Sequence, residues 1–149
     1  MGHTYSNLLA HVIFSTKRRR TWLEADVRAR LHEYLGGIAR RDVGRALAIG
    51  GTSDHVHALL SLRPDVPCSH AMMKLKSLSS GWIHREFPAL GGFAWQSGYA
   101  AFSVSQSQVG RVQQYIADQV EHHRTRTFEE ELAMILERHG LEYMPVEGG

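Results

Sequence analysis

Arg45–Ile49 and His55–Leu62 are two strand-length stretches separated by Gly50-Gly51-Thr52-Ser53, a pairing that predicts a β-hairpin. Its flanks limit the fold further. On the N-terminal side, Leu23, Val27, Leu31, Tyr34, Leu35 and Ile38 recur at helical spacing. They predict an amphipathic helix over about Leu23–Arg41, opened by a capping box of Thr21 and Glu24. Before it, Asn7–Phe14 is an apolar run of strand length. On the C-terminal side, Pro67 suits a first helical turn, and Met72, Leu75, Leu78 and Trp82 carry a second helix to about Phe87. Ala100–Val104 reads as a fourth strand. The order βαββαβ predicts an α+β, ferredoxin-like antiparallel sheet with two crossover helices on one face. RNA-recognition-motif (RRM-like) domains share this skeleton, so it names no function by itself.

Two C-terminal helices are expected beyond the sheet. One runs from about Gln108 to His123, capped by Ser105 or Ser107. The other opens on a second capping box, Thr127 with Glu130, and is stopped by Gly140. They are placed over the sheet face that the crossover helices leave free. No repeat or linker-like stretch divides the chain, so residues 1–149 are read as a single domain. A lone cysteine, Cys68, excludes a disulfide-stapled scaffold and a Cys-rich zinc module. No apolar run approaches a membrane span and no signal-peptide pattern opens the chain, so a cytoplasmic protein without a membrane partner is expected.

Charge is unevenly spread. Residues 1–85 carry 13 Lys/Arg against 6 Asp/Glu, a balance of +7, and residues 86–149 carry 4 against 9, a balance of −5. Such a split suits a polyanion-binding side, or equally a solvated basic face beside an acidic helix. Lys17, Arg18, Arg19 and Arg20 form a basic loop, and Lys74 and Lys76 lie on the second crossover helix; all six are candidate phosphate contacts. Trp95 and Tyr99 are readable as base-stacking residues or as buried aromatics.

The chemistry concentrates in Asp54-His55-Val56-His57 and Tyr115-Ile116-Ala117-Asp118-Gln119. Strand alternation sends His55 and His57 to one face, ~6.6–6.8 Å apart along the chain. Val56, Ala58 and Leu60 point to the other, into the expected core. Two imidazoles so placed can share one divalent ion, or stand as polar residues on an exposed face. Tyr115 and Gln119 are i and i+4, at the border of the apolar stripe Val109, Val112, Ile116, Val120. A helix covering the histidine face would set the Gln119 amide oxygen beside the imidazoles and the Tyr115 phenol within a turn of them. That constellation suits phosphodiester cleavage, with the ion polarising phosphorus and the phenolate attacking it. A free phenol is roughly one part in a thousand ionised at neutral pH, so an activating group is needed. His122 is a candidate for that proton transfer, while His123 reads as a core-edge histidine.

The DHVHALL segment, the later Tyr-x-x-x-Gln, the WQSGYAAFSVS stretch between them and the early LLAHVIFSTKRRR together resemble the HUH-type single-tyrosine transposases. These are the TnpA enzymes of single-strand peel-and-paste insertion sequences and their REP-associated relatives. The resemblance covers about Tyr5 to Tyr143. It implies His55, His57 and Gln119 as ligands of Mg2+ or Mn2+, and Tyr115 as the nucleophile forming a 5′-phosphotyrosine. It also implies a homodimer, with each tyrosine helix often completing the partner's site, and recognition of single-stranded DNA hairpins at element ends. No nucleotide cofactor is expected, because the phosphotyrosine conserves the bond energy, and no Walker loop occurs. In a cell such a protein would associate with the nucleoid. The alternative is a domesticated, non-catalytic nucleic-acid-binding module on the same fold.

Overall fold

The computed structural model describes residues 2–145, so the ends of the expected domain, at Met1 and 146–149, lie outside the described residues. Strands β1 (Leu8–Ser15), β2 (Gly44–Gly51), β3 (His55–Leu62) and β4 (Ala100–Ser103) form one sheet in the order β2-β3-β1-β4. Every neighbouring pair is antiparallel. Helices α1 (Ala25–Ile38) and α2 (Cys68–Glu86) are the crossovers, and α3 (Val109–Ala117), α4 (Gln119–His122) and α5 (Phe128–Arg138) follow β4. The architecture is the α+β βαββαβ arrangement that the order of elements predicts. Among the described residues no helix is long and apolar enough to cross a membrane.

Alternation along β1 and β3 divides the sheet into two faces. On one, Val12, Phe14, Val56 and Leu60 pack with Leu31, Leu35, Met72 and Leu75 of α1 and α2, all essentially free of solvent. Each such side chain contributes about 1.5–3 kcal/mol by burial, so this layer anchors the sheet. The opposite face presents His11, Ile13, His55 and His57, and α5 covers it by setting Phe128 and Ile135 against Ile13 and Phe102. The register fixes the site: Ile13 pairs with His57 and Ser15 with His55.

Element boundaries differ from the sequence expectation at several points: Gly50 and Gly51, expected in the turn, end strand β2, and other differences lie in the helices. The Thr21–Glu24 capping box does not form. The Glu24 amide that the box would use donates to the Trp22 carbonyl at 3.1 Å. The Leu23 amide donates to the Ser53 carbonyl at 2.9 Å and ties this segment to the β2–β3 turn, and α1 starts at Ala25. At its other end α1 stops at Ile38 and passes through a wider π-type turn, Ala39–Val43, rather than reaching Arg41 as regular helix. That turn delivers Gly44, whose φ of 150° and the 2.1 Å that would separate a Cβ from the Ser61 carbonyl oxygen admit only glycine. Finally, the expected helix Gln108–His123 is broken at Asp118 (φ −93°, ψ 16°) into α3 and α4. By contrast, the Thr127–Glu130 capping box forms in full and opens α5.

Candidate active site

Strand β3 delivers His55 and His57, both without solvent exposure, to the face beneath α3–α5. Each ring is held by its Nδ1. His55 Nδ1 donates to Asp54 Oδ1 at 2.7 Å, with Thr52 Oγ1 at 3.0 Å. His57 Nδ1 lies 2.8 Å from Nε2 of His11 on β1. Both Nε2 atoms therefore face the same interior space. Fixing one ring nitrogen to orient the other is how proteins prepare imidazoles for a metal.

The break at Asp118 brings in the next donor. Gln114 Nε2 donates to both Asp118 carboxylate oxygens at 3.0 Å, and α4 restarts rotated from the α3 stripe. As a result Gln119, expected at the stripe's margin, is fully buried, while Val120, expected inside it, is half exposed. Gln119 Oε1 accepts from His55 Nε2 at 2.8 Å.

Glu131 of α5, absent from the sequence reading, lies at the centre of the cluster without solvent exposure. Its Oε1 is 3.1 Å from His57 Nε2, 3.5 Å from His55 Nε2 and 3.0 Å from His123 Nε2. Its Oε2 accepts from Gln119 Nε2 at 2.7 Å and from the Tyr115 hydroxyl. The donors of His55, His57 and Glu131 all lie within 4.8 Å of one another, a set able to hold a metal ion. Imidazole and oxygen donors together suit Mn2+ and its neighbours, and carboxylate and amide oxygens also suit Mg2+. His123, expected as a core-edge residue, joins this cluster. Its Nδ1 donates to the Arg126 carbonyl, and its ring lies 4.5 Å from that of His55.

Electrostatics follow from burial and these contacts. Burial alone would lower the His55 pKa, but hydrogen bonding to Asp54, Glu131 and Gln119 outweighs it and raises it to about 9. His57, where burial dominates, is lowered to about 4, and His11 to about 3 for the same reason. Glu131 is held ionised despite its burial by hydrogen bonds from His55, His57 and Tyr115. Tyr115 is pushed above the ordinary phenol range by burial and by the Glu131 charge. Its proton thus rests in a hydrogen bond to Glu131. His122 stacks its ring on Tyr115, centroids 4.8 Å apart, instead of meeting the hydroxyl.

The basic candidates are distributed differently. Lys17–Arg19 form a short 3-10 turn in which Arg18 and Arg19 adopt left-handed conformations (φ 57° and 51°). Each costs about 1–3 kcal/mol in a non-glycine residue, and Arg19 pairs with Glu129 of α5. Lys76 Nζ donates to the Gln96 and Gly98 carbonyls, 2.7 Å each, so its charge is engaged in holding the 96–98 loop. Lys17, Arg18 and Arg20 are exposed, and Lys74 is partly buried. Trp95 is packed between Phe14 and Phe93, and Tyr99 is exposed. A cleft beside His123, lined by Arg28, Thr52, Arg126 and Thr127, opens next to the cluster.

Residues 4–119 match the model of a transposase family described as IS200-like. The chain is 29% identical over 123 residues to the ISDra2 transposase TnpA of Deinococcus radiodurans, covering 79% of this chain and 87% of that protein. A crystal structure of a Deinococcus radiodurans protein superposes with a TM-score of 0.64 at 30% identity, over 80% of this chain and 96% of that one. A REP-associated tyrosine transposase, solved bound to a REP hairpin, superposes with a TM-score of 0.61 at 15% identity, over 83% of this chain and 73% of that one, a likeness of fold.

Proposed function

The chain belongs to the IS200-like transposase family, and from that premise we propose that it cleaves and rejoins single-stranded DNA at element ends through a covalent bond to Tyr115. The observation that carries this reading is a single buried carboxylate touching both halves of the chemistry. One Glu131 oxygen meets His57 and the other accepts from the Tyr115 hydroxyl. The phenol and the imidazole pair therefore lie close enough to act on one phosphorus.

In the proposed reaction the Tyr115 oxygen attacks phosphorus and the bond to the 3′-oxygen breaks. A 5′-phosphotyrosine remains on the protein, and the 3′-oxygen leaves with a proton as a hydroxyl. The proton that Tyr115 gives up is first accepted by Glu131, whose Oε2 already takes the hydroxyl's hydrogen bond, while His122, stacked on the ring, does not meet the hydroxyl. His55, His57 and Gln119 would hold Mg2+ or Mn2+, which would polarise a phosphoryl oxygen and offset the charge developing there. Rejoining reverses the attack with another 3′-hydroxyl and needs no nucleotide cofactor.

Residues 1–149 are proposed to act as one transposase domain. Hairpin DNA is the proposed partner: the basic first half supplies phosphate contacts through Arg18, Arg20 and Lys74, and Arg28 and Arg126 line the cleft beside the cluster. Within one chain the tyrosine helix lies beside that chain's own histidines, which supports a site built in cis. A homodimer is proposed because joining two element ends takes two sites.

A denaturing gel of the protein with 5′- or 3′-labelled single-stranded hairpin oligonucleotide tests the reading. A divalent-dependent covalent adduct is expected with the 3′-labelled strand, whose fragment carries the 5′-phosphate at the cut, and not with the 5′-labelled one. Tight binding without an adduct in any divalent cation would leave a non-catalytic binder in its place.

A further inference from the structure

We propose that Glu131 is a fourth protein ligand of the ion held by His55, His57 and Gln119, which makes α5 part of the active site. This rests on the transposase reading above and deepens it. Glu131 lies twelve residues beyond Gln119, where the family match ends.

Spacing is the first argument. Glu131 Oε1 stands 3.1 Å from His57 Nε2 and 3.5 Å from His55 Nε2, and Gln119 Oε1 stands 2.8 Å from His55 Nε2. Adjacent ligands of one small divalent ion, with bonds of about 2.0–2.2 Å, are about 3 Å apart. These three separations are thus already close to those a common ion would impose, and the His55, His57 and Glu131 donors all lie within 4.8 Å of one another.

Charge is the second. Two imidazoles and an amide are neutral when they ligate, so they leave a buried dication uncompensated. All three side chains are fully buried here, where an uncompensated charge is costly. One carboxylate halves that charge. Glu131 occupies the apolar stripe of α5 between Phe128 and Ile135, where a buried carboxylate must be paired and hydrogen-bonded, and an ion beside the imidazoles would supply the opposite charge.

The third argument is support. Each imidazole has its second nitrogen fixed, and Glu131 likewise has its second oxygen fixed by Gln119 Nε2 at 2.7 Å and by the Tyr115 hydroxyl. Orienting contacts of this kind accompany metal ligands. One carboxylate consequently ties the ion's position to that of the phenol. Ion binding and α5 docking then become linked, each strengthening the other. The Arg19–Glu129 pair tethers the same helix from outside.

The test is Mn2+ binding by the full chain, followed by calorimetry and by loss of the free Mn2+ spin signal, for wild type, His57→Ala, Glu131→Gln and Glu131→Ala. Amide hydrogen exchange over residues 128–138 is measured with and without Mn2+. Wild type is expected to bind and to slow exchange in α5. Glu131→Gln, which keeps shape and hydrogen bonding, is expected to bind at least about tenfold more weakly and to lose the Mn2+-dependent protection of α5. Glu131→Ala is expected to weaken binding at least as much, and if it fails to fold, the glutamine variant decides. Wild-type affinity or tighter binding in the Glu131 variants, with His57→Ala still weakened, would overturn the fourth-ligand role alone; tighter binding would mean that the carboxylate blocks the site. Absence of binding in wild type would overturn this inference together with the metal reading beneath it.

Discussion

Gly50 and Ile116 meet backbone to backbone: a Cβ built on Gly50 would lie 2.3 Å from the Ile116 carbonyl oxygen. Nearby, Gln113 Nε2 donates to the Leu47 carbonyl at 3.0 Å. These two contacts seat α3 on β2 and so set the position of Tyr115 over the histidine strand. A side chain at position 50 has nowhere to go without moving the helix that carries the proposed nucleophile.

Gly50→Ala is therefore expected to push α3 outward at a cost of about 1–3 kcal/mol, leaving the α1–α2 face intact. Thermal unfolding reads the first effect, and the yield of covalent DNA adduct, expected to fall sharply, reads the second. An undiminished adduct would show that this contact does not position Tyr115.

Tyr115→Phe removes a hydrogen bond to a carboxylate that keeps its Gln119 and imidazole partners. A stability loss of about 1 kcal/mol is expected, with hairpin binding nearly unchanged and the adduct abolished. Denaturant midpoints, a filter-binding titration and a denaturing gel check the three parts separately.

Much of this arrangement was readable from sequence. The glycine turn between Arg45–Ile49 and His55–Leu62 implies the hairpin, and alternation along His55–Leu62 puts both histidines on the face away from the core. Thr127 and Glu130 mark the start of α5. Glu131 escaped because it closes the run Glu129-Glu130-Glu131, which reads as a solvated acidic face. The signal was nevertheless present: Phe128, Glu131, Leu132 and Ile135 share one helical stripe, and a charge in such a stripe must be paired. His11 was hidden in an apolar strand for a similar reason. Gln119 lies beside the imidazoles as the sequence implies, but the break at Asp118 turns Val120 out of the expected stripe and His123 toward Glu131, which helical periodicity does not anticipate. Local propensity also lost at Thr21, where the Glu24 amide bonds to the Trp22 carbonyl and the Leu23 amide ties the segment to Ser53.

The two lysines of α2 should separate by role. Lys76 bridges two loop carbonyls, so Lys76→Met is expected to cost about 1.5–3 kcal/mol and to loosen residues 96–98. Lys74→Ala should leave stability unchanged within ~0.5 kcal/mol while weakening hairpin binding and lowering its salt dependence. Urea unfolding and binding at two salt concentrations distinguish these outcomes.

His32 supplies a pH dependence outside the site. Its Nε2 is buried without a partner, and burial, reinforced by Arg28, lowers its pKa to about 4 from 6.5. The folded-state value is depressed, so the contribution is fully present above pH 6.5 and is lost as pH falls toward 4. At most it amounts to about 3 kcal/mol. His32→Gln should flatten the stability profile between those pH values relative to wild type. An unchanged slope in urea midpoints would contradict this assignment.

The most direct test of the account is to trap the protein on a cleaved single-stranded hairpin, digest the adduct and locate the nucleotide by mass spectrometry. A phosphodeoxynucleotide on the peptide containing Tyr115, absent when His57 is replaced by alanine, is the predicted result. A nucleotide on any other residue, or on Tyr115 irrespective of His57, would contradict it.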